Sequence, residues 1–314
     1  MSLIEKAAER LEKLKQAGAL PAAASPYGTA ASPGCAPAEA AGKPAEPTAA
    51  AHTTPAAAPM RPSARQVDID LAALARAGMV TPDLPRSQIA EEYRVIKRPL
   101  LRNLQGKGAA RADNGNLIMV SSALPGEGKS FTAINLAISI AMELDHTVLL
   151  VDADVSRPSI LHRLGLPPEK GLMDVLTGQS ELGEVLLRTN VEKLSILPAG
   201  MPHPRATELL ASDAMNRMLE EMATRYAERV IVFDSPPLLV TTEARELATH
   251  MGQVVLVVEA HRTTHAAVKQ ALAAIDTCPI KLLVLNKSDD RVHGGYYGYG
   301  YGYGYGNDAR ADAA

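Results

Sequence analysis

The sequence predicts an α/β fold with a doubly wound, mostly parallel sheet and helices on both faces. Short runs of branched apolar residues recur along the chain, and helical patterns separate them. Runs that are apolar throughout are typical of strands buried on both faces, and strands that alternate with helices are typical of parallel sheets. We therefore expect one domain at residues 67–288, which begins with a helical lead-in and alternates regularly from about residue 85.

The expected elements follow from run length and periodicity. The segments with strand character are Leu117–Ser122, Thr147–Asp152, Val191–Leu197, Arg229–Asp234, Gln253–Glu259 and Lys281–Asn286. The segments with helical periodicity are residues 71–79, Ser87–Leu104, Gly128–Glu143, Asp213–Ala227 and Thr264–Ile275. Pro99 is expected to bend or interrupt the helix that contains it, because proline has no amide hydrogen to donate.

The two ends of the chain differ in composition from this domain. Residues 1–17 carry Leu and Ala at helical spacing among Glu and Lys, which predicts an amphipathic helix. Residues 18–66 consist mainly of Ala and Pro and bury too little apolar surface to offset the entropy of ordering, so we expect a disordered linker. Residues 289–314 are rich in Tyr and Gly, and we expect a flexible tail.

Composition excludes several functional classes. The formal net charge is −3, whereas a dedicated nucleic-acid binder is usually basic, so we expect no nucleic-acid partner. No apolar run approaches the ~20 residues of a membrane span, and the charged start MSLIEKAAER does not resemble a signal peptide. Two cysteines cannot form a disulfide framework. Together these features predict a cytoplasmic protein.

Residues 122–130, SALPGEGKS, follow an expected strand and begin an expected helix. This is the context of a P-loop, in which backbone amides surround the phosphates and a lysine and a hydroxyl complete the site. Gly126 and Gly128 suit the positive φ angles that such a loop needs. Lys129 supplies the charge, and Ser130 supplies the hydroxyl for Mg²⁺.

Aspartates end two other expected strands. Asp152 ends one strand and Asp154 follows two residues later, while Asp234 ends another strand and precedes Ser-Pro-Pro. The carboxyl ends of parallel strands meet at the crevice where ligands bind, so these carboxylates should lie beside the P-loop. Any one of them would also suit a helix cap, but together with the P-loop they predict a magnesium–nucleotide site.

Residues 286–289 read Asn-Lys-Ser-Asp, which matches the guanine-reading N-K-x-D pattern. Ser-Pro-Pro follows Asp234 where a GTPase of that class has x-x-Gly, and this favours ATP over GTP. Asn286 is a candidate for contact with the nucleotide base. A strand-end turn residue is the alternative interpretation.

In combination these motifs resemble those of the bacterial tyrosine kinases, P-loop enzymes of the deviant-Walker type that are unrelated to eukaryotic protein kinases. The matching segments are the P-loop at 122–130, the Asp-x-Asp run with Arg-Pro at 152–158, Asp-Ser-Pro-Pro at 234–237 and the tyrosine cluster at 296–305. The resemblance covers roughly residues 85–306.

The family often carries a subunit-contact motif, E-x-x-R-x-x-R, ahead of its P-loop. Glu91, Arg94 and Lys97 occupy those positions, with Lys in place of the last Arg. The resemblance therefore implies a ring-like homo-oligomer that these residues help to hold together.

Several positions depart from the expected patterns. Ala123 replaces the first Gly of the general P-loop, and Ser156 replaces the first Arg of the second motif, which leaves Arg157 to take that role. Leu124 stands where septum-positioning and plasmid-partition ATPases have a signature Lys, which disfavours that alternative. The membrane-spanning activator often fused to these kinases is missing, so the chain resembles the separate cytoplasmic type associated with exopolysaccharide and exosortase systems.

The resemblance implies phosphate transfer from ATP and Mg²⁺ to tyrosine. The expected catalytic residues are Lys129, Asp152, Asp154, Asp234 and Arg157, with Asp152 favoured over Asp154 as the general base. The expected nucleotide-binding residues are Pro125, Gly126, Glu127, Gly128, Lys129, Ser130, Phe131 and Asn286. The expected metal ligands are Ser130, Asp152 and Asp234.

Six of the nine tyrosines lie within ten residues of the tail. They are Tyr296, Tyr297, Tyr299, Tyr301, Tyr303 and Tyr305. A flexible strip of this kind can enter an active site in many registers, and a neighbour's site is sterically easier to reach, so we expect phosphorylation between subunits. A low-complexity segment with adhesive behaviour is the alternative.

By resemblance, such an autokinase regulates exopolysaccharide polymerisation or export. The implied partners are a membrane co-polymerase or chain-length protein, which activates the kinase and holds it at the inner face of the cell membrane, and a cognate tyrosine phosphatase. Two alternatives stay open: a MinD/ParA-like positioning ATPase without kinase activity, and a nucleotide-binding scaffold without catalysis.

Overall fold

The computed structural model describes residues 65–106, 108, 113–225 and 228–288. The strands in these residues are β1 (Arg65–Val67), β2 (Leu117–Ser122), β3 (Thr147–Asp152), β4 (Leu187–Thr189), β5 (Leu194–Leu197), β6 (Arg229–Asp234), β7 (Gln253–Glu259) and β8 (Ile280–Asn286). The helices are α1 (Leu71–Arg76), α2 (Gln88–Leu104), α3 (Lys129–Ala141), α4 (Ile160–Arg163), α5 (Leu172–Leu176), α6 (Leu182–Val185), α7 (Ala206–Leu210), α8 (Asp213–Arg225), α9 (Glu243–Thr249) and α10 (His265–Ala274). The expected N-terminal helix, nearly all of the expected linker and the tyrosine tail lie outside the described residues.

The strands of the described residues form one sheet in the order β1-β4-β5-β3-β6-β2-β7-β8. Neighbouring strands are parallel except β4 and β5, which are antiparallel. Strand β2 is buried along its whole length, and β3 and β6 are buried beyond their first residue, as their apolar runs require. The predicted doubly wound, mostly parallel sheet is confirmed.

Helices cover both faces of the sheet. Helices α1 to α4 pack on one face, and α5 to α10 pack on the other. Helix α3 is buried almost throughout and carries Asn135 into the core. The Asn135 side chain accepts a hydrogen bond from the Val80 amide at 2.6 Å and donates one to the Phe131 carbonyl at 2.8 Å, so this buried amide is satisfied.

Helix α2 continues through Pro99 without interruption. Proline removes the hydrogen bond that the Val95 carbonyl would accept, and Val95 is 68% exposed, so water can take the place of the missing donor. Leu100 and Leu101 are buried beyond the proline and hold the last turn against the core. Packing therefore outweighs the local penalty.

Two three-residue strands extend the sheet beyond the expected set. Strand β1 includes Arg65 and Gln66, which composition assigned to the linker, and it pairs with β4. The expected strand at residues 191–197 is shorter in the structure, and β4 forms an antiparallel pair with it.

No helix in the described residues is both long enough and apolar enough to cross a bilayer.

Candidate active site

The loop of residues 123–128 joins β2 to α3 at the carboxyl edge of the sheet. Gly126 and Gly128 have φ angles of 87° and 102°. Gly128 is the N-cap of α3 and provides no side-chain cap, which leaves the first amides of the helix for an anionic ligand. The φ angle of Gly128 requires glycine, and a Cβ there would lie 2.1 Å from Nδ2 of Asn286, so a larger residue would also displace the Asn286 side chain.

Ala123 is fully buried in the core, although the general pattern has glycine at this position. The carbonyl of Ala123 accepts a hydrogen bond from the Leu239 amide at 3.2 Å, and that of Ser122 accepts one from the Leu238 amide at 2.8 Å. The segment after β6 thus supports the start of the P-loop. A methyl group fits here, so the missing glycine does not argue against a phosphate site.

Glu127 is 1% exposed and braces the loop from inside. Its carboxylate accepts hydrogen bonds from the Leu124 amide at 2.7 Å and from the Thr263 hydroxyl. The side chain is therefore engaged with the protein, and the backbone of Glu127 is the part that a phosphate can contact.

Two residues at the end of β8 hold the outer side of the loop. Asn286 donates from Nδ2 to the Glu127 carbonyl at 2.8 Å, and Lys287 donates from Nζ to the Gly126 carbonyl at 2.8 Å. Lys287 also pairs with Glu259 at 3.1 Å. The sequence pattern suggested a base contact for Asn286 and no role for Lys287. In the structure both side chains bind P-loop carbonyls, a role that the adjacent Asn-Lys pair at a strand end could have signalled.

Lys129 and the three predicted aspartates lie together at the centre of this edge. Nζ of Lys129 is 2.6 Å from Oδ2 of Asp154 and 3.3 Å from Oδ1 of Asp234. Asp152 is directly opposite Asp234 on the neighbouring strand. All three aspartates are buried. The strand register of β3 and β6 therefore brings together residues that are about 80 positions apart in the chain.

The electrostatics of this cluster favour a further cation. Burial, reinforced by the charge of Asp234, raises the pKa of Asp152 to about 7. Burial also raises the pKa of Asp234. Burial by itself lowers the pKa of Lys129, but Asp234 and Asp154 more than reverse this, so the pKa of Lys129 is raised. One lysine faces three buried carboxylates, and the excess negative charge is stabilised by any cation that enters.

Two buried oxygens of the cluster lack a hydrogen-bond partner in the described structure. They are Oδ1 of Asp152 and Oδ2 of Asp234. Oδ2 of Asp152, in contrast, accepts bonds from the amides of Ser159 and Ile160, both at 3.0 Å. An unsatisfied buried acceptor costs about 1–3 kcal/mol, so a ligand that supplies a donor or a cation would be bound favourably.

These oxygens and the Ser130 hydroxyl, which is 3.3 Å from Nζ of Lys129, are of the type that Mg²⁺ prefers. No group of three or more His, Cys, Asp and Glu side chains within the described residues is arranged to hold a metal by itself. The two unpartnered carboxylate oxygens fit Mg²⁺, which commonly binds one or two carboxylates together with substrate phosphates and water.

The remaining predicted site residues surround this cluster. Arg157 is exposed, and its backbone amide donates to Oδ1 of Asp154 at 3.2 Å, so its guanidinium is available at the rim. Pro125 is exposed at the tip of the loop, and Phe131 packs against the core. The tail tyrosines lie outside the described residues.

A cleft of about 180 Å³ opens beside Asp152. The other residues that line it are Pro158, Leu161, His162, Leu166, Pro168, Glu169, Pro198, Ala199 and Gly200. This cleft could not be predicted from the sequence, because its lining comes from the end of β3, from α4 with the residues on either side of it, and from the connection after β5.

The predicted subunit-contact residues divide into two groups. Glu91 and Arg94 form an ion pair at the surface of α2, and Arg94 also donates to the Pro85 carbonyl at 3.0 Å. Lys97 is 4% exposed. Its Nζ lies 2.8 Å from Oε1 of Glu143 and donates to the Ser139 carbonyl. Lys97 therefore ties α2 to the end of α3 within one subunit, whereas the other two face outward.

Comparison with known proteins gives a consistent assignment. Residues 115–286 match a family model described as an AAA domain. The chain is 33% identical over 218 residues to the tyrosine-protein kinase YwqD of Bacillus subtilis. The aligned residues cover 68% of this chain and 88% of that protein. It is 33% identical over 226 residues to the succinoglycan biosynthesis transport protein ExoP of Rhizobium meliloti, covering 70% of this chain and 28% of that protein.

Among solved structures, the kinase domain of the Escherichia coli tyrosine kinase ETK superposes with a TM-score of 0.56 at 26% identity, covering 71% of this chain and 85% of that one. The fold, the P-loop with its aspartate cluster and these relatives agree with one another.

Proposed function

The chain belongs to the bacterial tyrosine-protein kinases, and we propose that it transfers the γ-phosphate of ATP to tyrosines of its own C-terminal tail, acting between subunits. The observation that carries the proposal is the buried cluster of Lys129 with Asp152, Asp154 and Asp234 directly beside the P-loop. The tail supplies a substrate within the same chain, with six tyrosines in residues 296–305.

Nucleotide binding would use the backbone of residues 125–131 and the lysine. The amides at the start of α3 surround the phosphates, and Lys129 exchanges its carboxylate partners for the β- and γ-phosphates. Asn286 and Lys287 hold two loop carbonyls outward, which favours amides that point toward the ligand. Thus Asn286 acts on the loop in this proposal, and no base contact is needed.

Mg²⁺ would be held by Ser130, Asp152 and Asp234, directly or through water. The metal supplies charge stabilisation for the transferring phosphoryl group. Oδ2 of Asp234 is the unpartnered oxygen that fits direct coordination. Asp152 would reach the metal through water, which leaves its own unpartnered Oδ1 for proton transfer.

Asp152 is the better general base of the two candidates. Its pKa of about 7 suits proton transfer near neutral pH, and its Oδ1 has no other partner in the described structure. Asp154 pairs with Lys129 at 2.6 Å before nucleotide binds, and it is not among the residues that line the cleft beside Asp152. The cleft beside Asp152 is lined by Leu161 and His162, which suit the ring of an acceptor tyrosine. Arg157 at the rim would stabilise phosphate charge or contact a neighbouring subunit.

Assembly and regulation follow from the same proposal. Glu91 and Arg94 on the surface of α2 would contact the next subunit of a ring. Six phosphates on the tail would add about −9 to −12 of charge, and repulsion between tails would then weaken the packing of adjacent subunits. Four further parts of the proposal rest on the family resemblance. They are a role in exopolysaccharide biosynthesis or export, activation by a membrane co-polymerase, a peripheral position at the membrane, and a cognate phosphatase.

The proposed domain limits also follow from these roles. The catalytic domain comprises residues 67–288, extended by the two residues that complete β1. Residues 1–17 and 18–64 would serve as a helix and a linker ahead of it, and 289–314 would serve as the substrate tail.

The decisive experiment is intact mass with site mapping after incubation with Mg-ATP. It compares the wild type with Lys129→Met and with a matched control, Lys269→Met, at an exposed lysine of α10. We expect phosphates on Tyr296–Tyr305 in the wild type and the control and none in Lys129→Met. ATP hydrolysis without tail phosphate, with the partner's cytoplasmic segment supplied, would instead establish a positioning ATPase. Nucleotide binding without hydrolysis would establish a scaffold.

A further inference from the structure

Strand β8 is an edge of the sheet with an apolar face turned to solvent. Among the described residues it pairs with β7 on one side only. Leu283 and Leu285 lie on the same face of β8 and are 53% and 61% exposed. Leu282 and Val284, on the opposite face, are partly buried against the core. An edge with unpaired backbone groups and exposed leucines is a template for one more strand.

The chain itself contains a segment with the complementary pattern. From Tyr297 to Gly306, tyrosine and glycine alternate without exception. In an extended strand that alternation places every tyrosine on one face and every glycine on the other. Glycine weakens an isolated strand, so this segment depends on a partner edge to become one.

We propose that the unphosphorylated tail pairs with the free edge of β8 in its own subunit as an additional, antiparallel strand. The tyrosines then pack across from Leu283 and Leu285, as aromatic and aliphatic cross-strand pairs do. The glycines fall on the side of Leu282 and Val284, which pack against the core.

Chain length favours this occupant over a second copy of the protein. Strand β8 ends at Asn286 and the alternation begins at Tyr297, so ten residues, 287–296, join them. That connection is longer than the 2–5 residues of a common hairpin and includes Gly294 and Gly295. A tether of this length holds the tail near β8 at about millimolar effective concentration, above that of a second molecule in dilute solution. The proposal does not depend on the kinase assignment.

Hydrogen exchange of β8 tests the proposal in the full chain. The Lys129→Met background keeps the tail unphosphorylated, and the comparison is between the natural tail and one with its six tyrosines replaced by serine. We expect the outward amides of residues 280–286 to exchange about tenfold more slowly with the tyrosine tail, at every protein concentration. Leu283→Ser with Leu285→Ser should remove this protection. Leu144→Ser, at a leucine that is 85% exposed elsewhere, should not.

Equal exchange with the two tails would overturn the proposal. Protection that survives the serine tail and grows with protein concentration would overturn it too, since a second copy would then occupy the edge. Disulfide trapping gives an independent result in a Cys35→Ser background. Leu283→Cys is combined with a cysteine in place of Tyr301 or of either neighbouring tail tyrosine. This pair should form an intrachain disulfide at least tenfold faster than the same tail cysteine combined with Val284→Cys, on the opposite face. Equal rates for the two faces would contradict the docked strand.

Discussion

In the part of the chain that the structure describes, Lys97 and Lys129 each lie beside acidic side chains with little exposure, and they differ in what surrounds them. Lys97 faces one carboxylate, that of Glu143, and one carbonyl, that of Ser139. Lys129 faces Asp154 and Asp234, with Asp152 beside them. Burial lowers the pKa of Lys97, whereas the carboxylates around Lys129 outweigh burial and raise its pKa.

The difference separates a structural ion pair from a binding site. The group around Lys97 has no excess of carboxylates, because Glu143 pairs with Lys97 and lies near Arg98, and it joins two helices. The group around Lys129 has more carboxylates than cations, and it includes carboxylate oxygens without partners in the described structure. Buried polar groups are normally satisfied, so an unbalanced cluster at a sheet edge indicates a missing ligand, whereas burial alone does not.

The largest expected effect is on catalysis at the unbalanced cluster. Lys129→Met should lower tail phosphorylation by about 10³-fold, because a positioned cation on the transferring phosphate is worth roughly this much. Initial rates of phosphotyrosine formation measure the loss. A rate within threefold of the wild type would show that Lys129 does not act on phosphate.

The corresponding change at the balanced pair should affect stability. Lys97→Met leaves Glu143 without its main partner and should lower the free energy of unfolding by about 2–3 kcal/mol, below the range for fully buried pairs because Glu143 is partly exposed. Urea unfolding measures this. Arg98→Met is the control, since Arg98 lies 3.7 Å from the same carboxylate but is 60% exposed. Equal losses for both variants would contradict a specific role for Lys97.

The third prediction concerns pH. The pKa of Asp152 is about 7 in the folded protein against an ordinary value of 3.8, so the folded state holds this proton over a pH range in which the unfolded chain has lost it. The free energy of unfolding of the nucleotide-free protein should therefore fall by about 2 kcal/mol as pH rises from about 5 to 8. Asp152→Asn should flatten that dependence, and Asp145→Asn, at an exposed position, should leave it unchanged. An unaltered slope in Asp152→Asn would assign the effect to other groups.

The smallest expected effect concerns the outer support of the P-loop. Asn286→Ala removes the hydrogen bond to the Glu127 carbonyl and should weaken ATP binding about tenfold while leaving the unfolding midpoint nearly unchanged. Calorimetric titration with ATP measures the affinity. The control is Gln179→Ala, at an exposed position on the opposite face of the sheet. If Asn286→Ala binds ADP, ATP and GTP each with the same affinity as the wild type, this support role is excluded.

The sequence predicted the centre of the sheet well and its margin poorly. Strands β2, β3, β6 and β7 have the predicted bounds, because strands buried on both faces are apolar throughout. Strands β1 and β4 have three residues each, and their pairing depends on tertiary contact that no local pattern records. Pro99 illustrates the same limit within a helix, where packing of Leu100 and Leu101 overrides local preference.

The site could be predicted as a set of residues but not as a geometry. Gly128, Lys129 and the aspartates follow from motif and strand position. The inward role of Glu127 and the intrasubunit role of Lys97 do not, because each depends on a partner distant in sequence, Thr263 in one case and Glu143 in the other.

The strand order has a consequence for how the chain folds during synthesis. Strand β2, which carries the P-loop, pairs with β6 and β7 and with no strand next to it in sequence. Its register with β7 joins Ile118 to Gln253. At about 5–20 residues per second, a ribosome needs on the order of ten seconds to make the intervening chain. Until β6 has been made, β2 has no strand to pair with, and β7 completes its pairing later still. Such non-local pairing is slow. The nucleotide pocket is thus among the last parts of the domain to form, and an unfinished chain should not bind ATP.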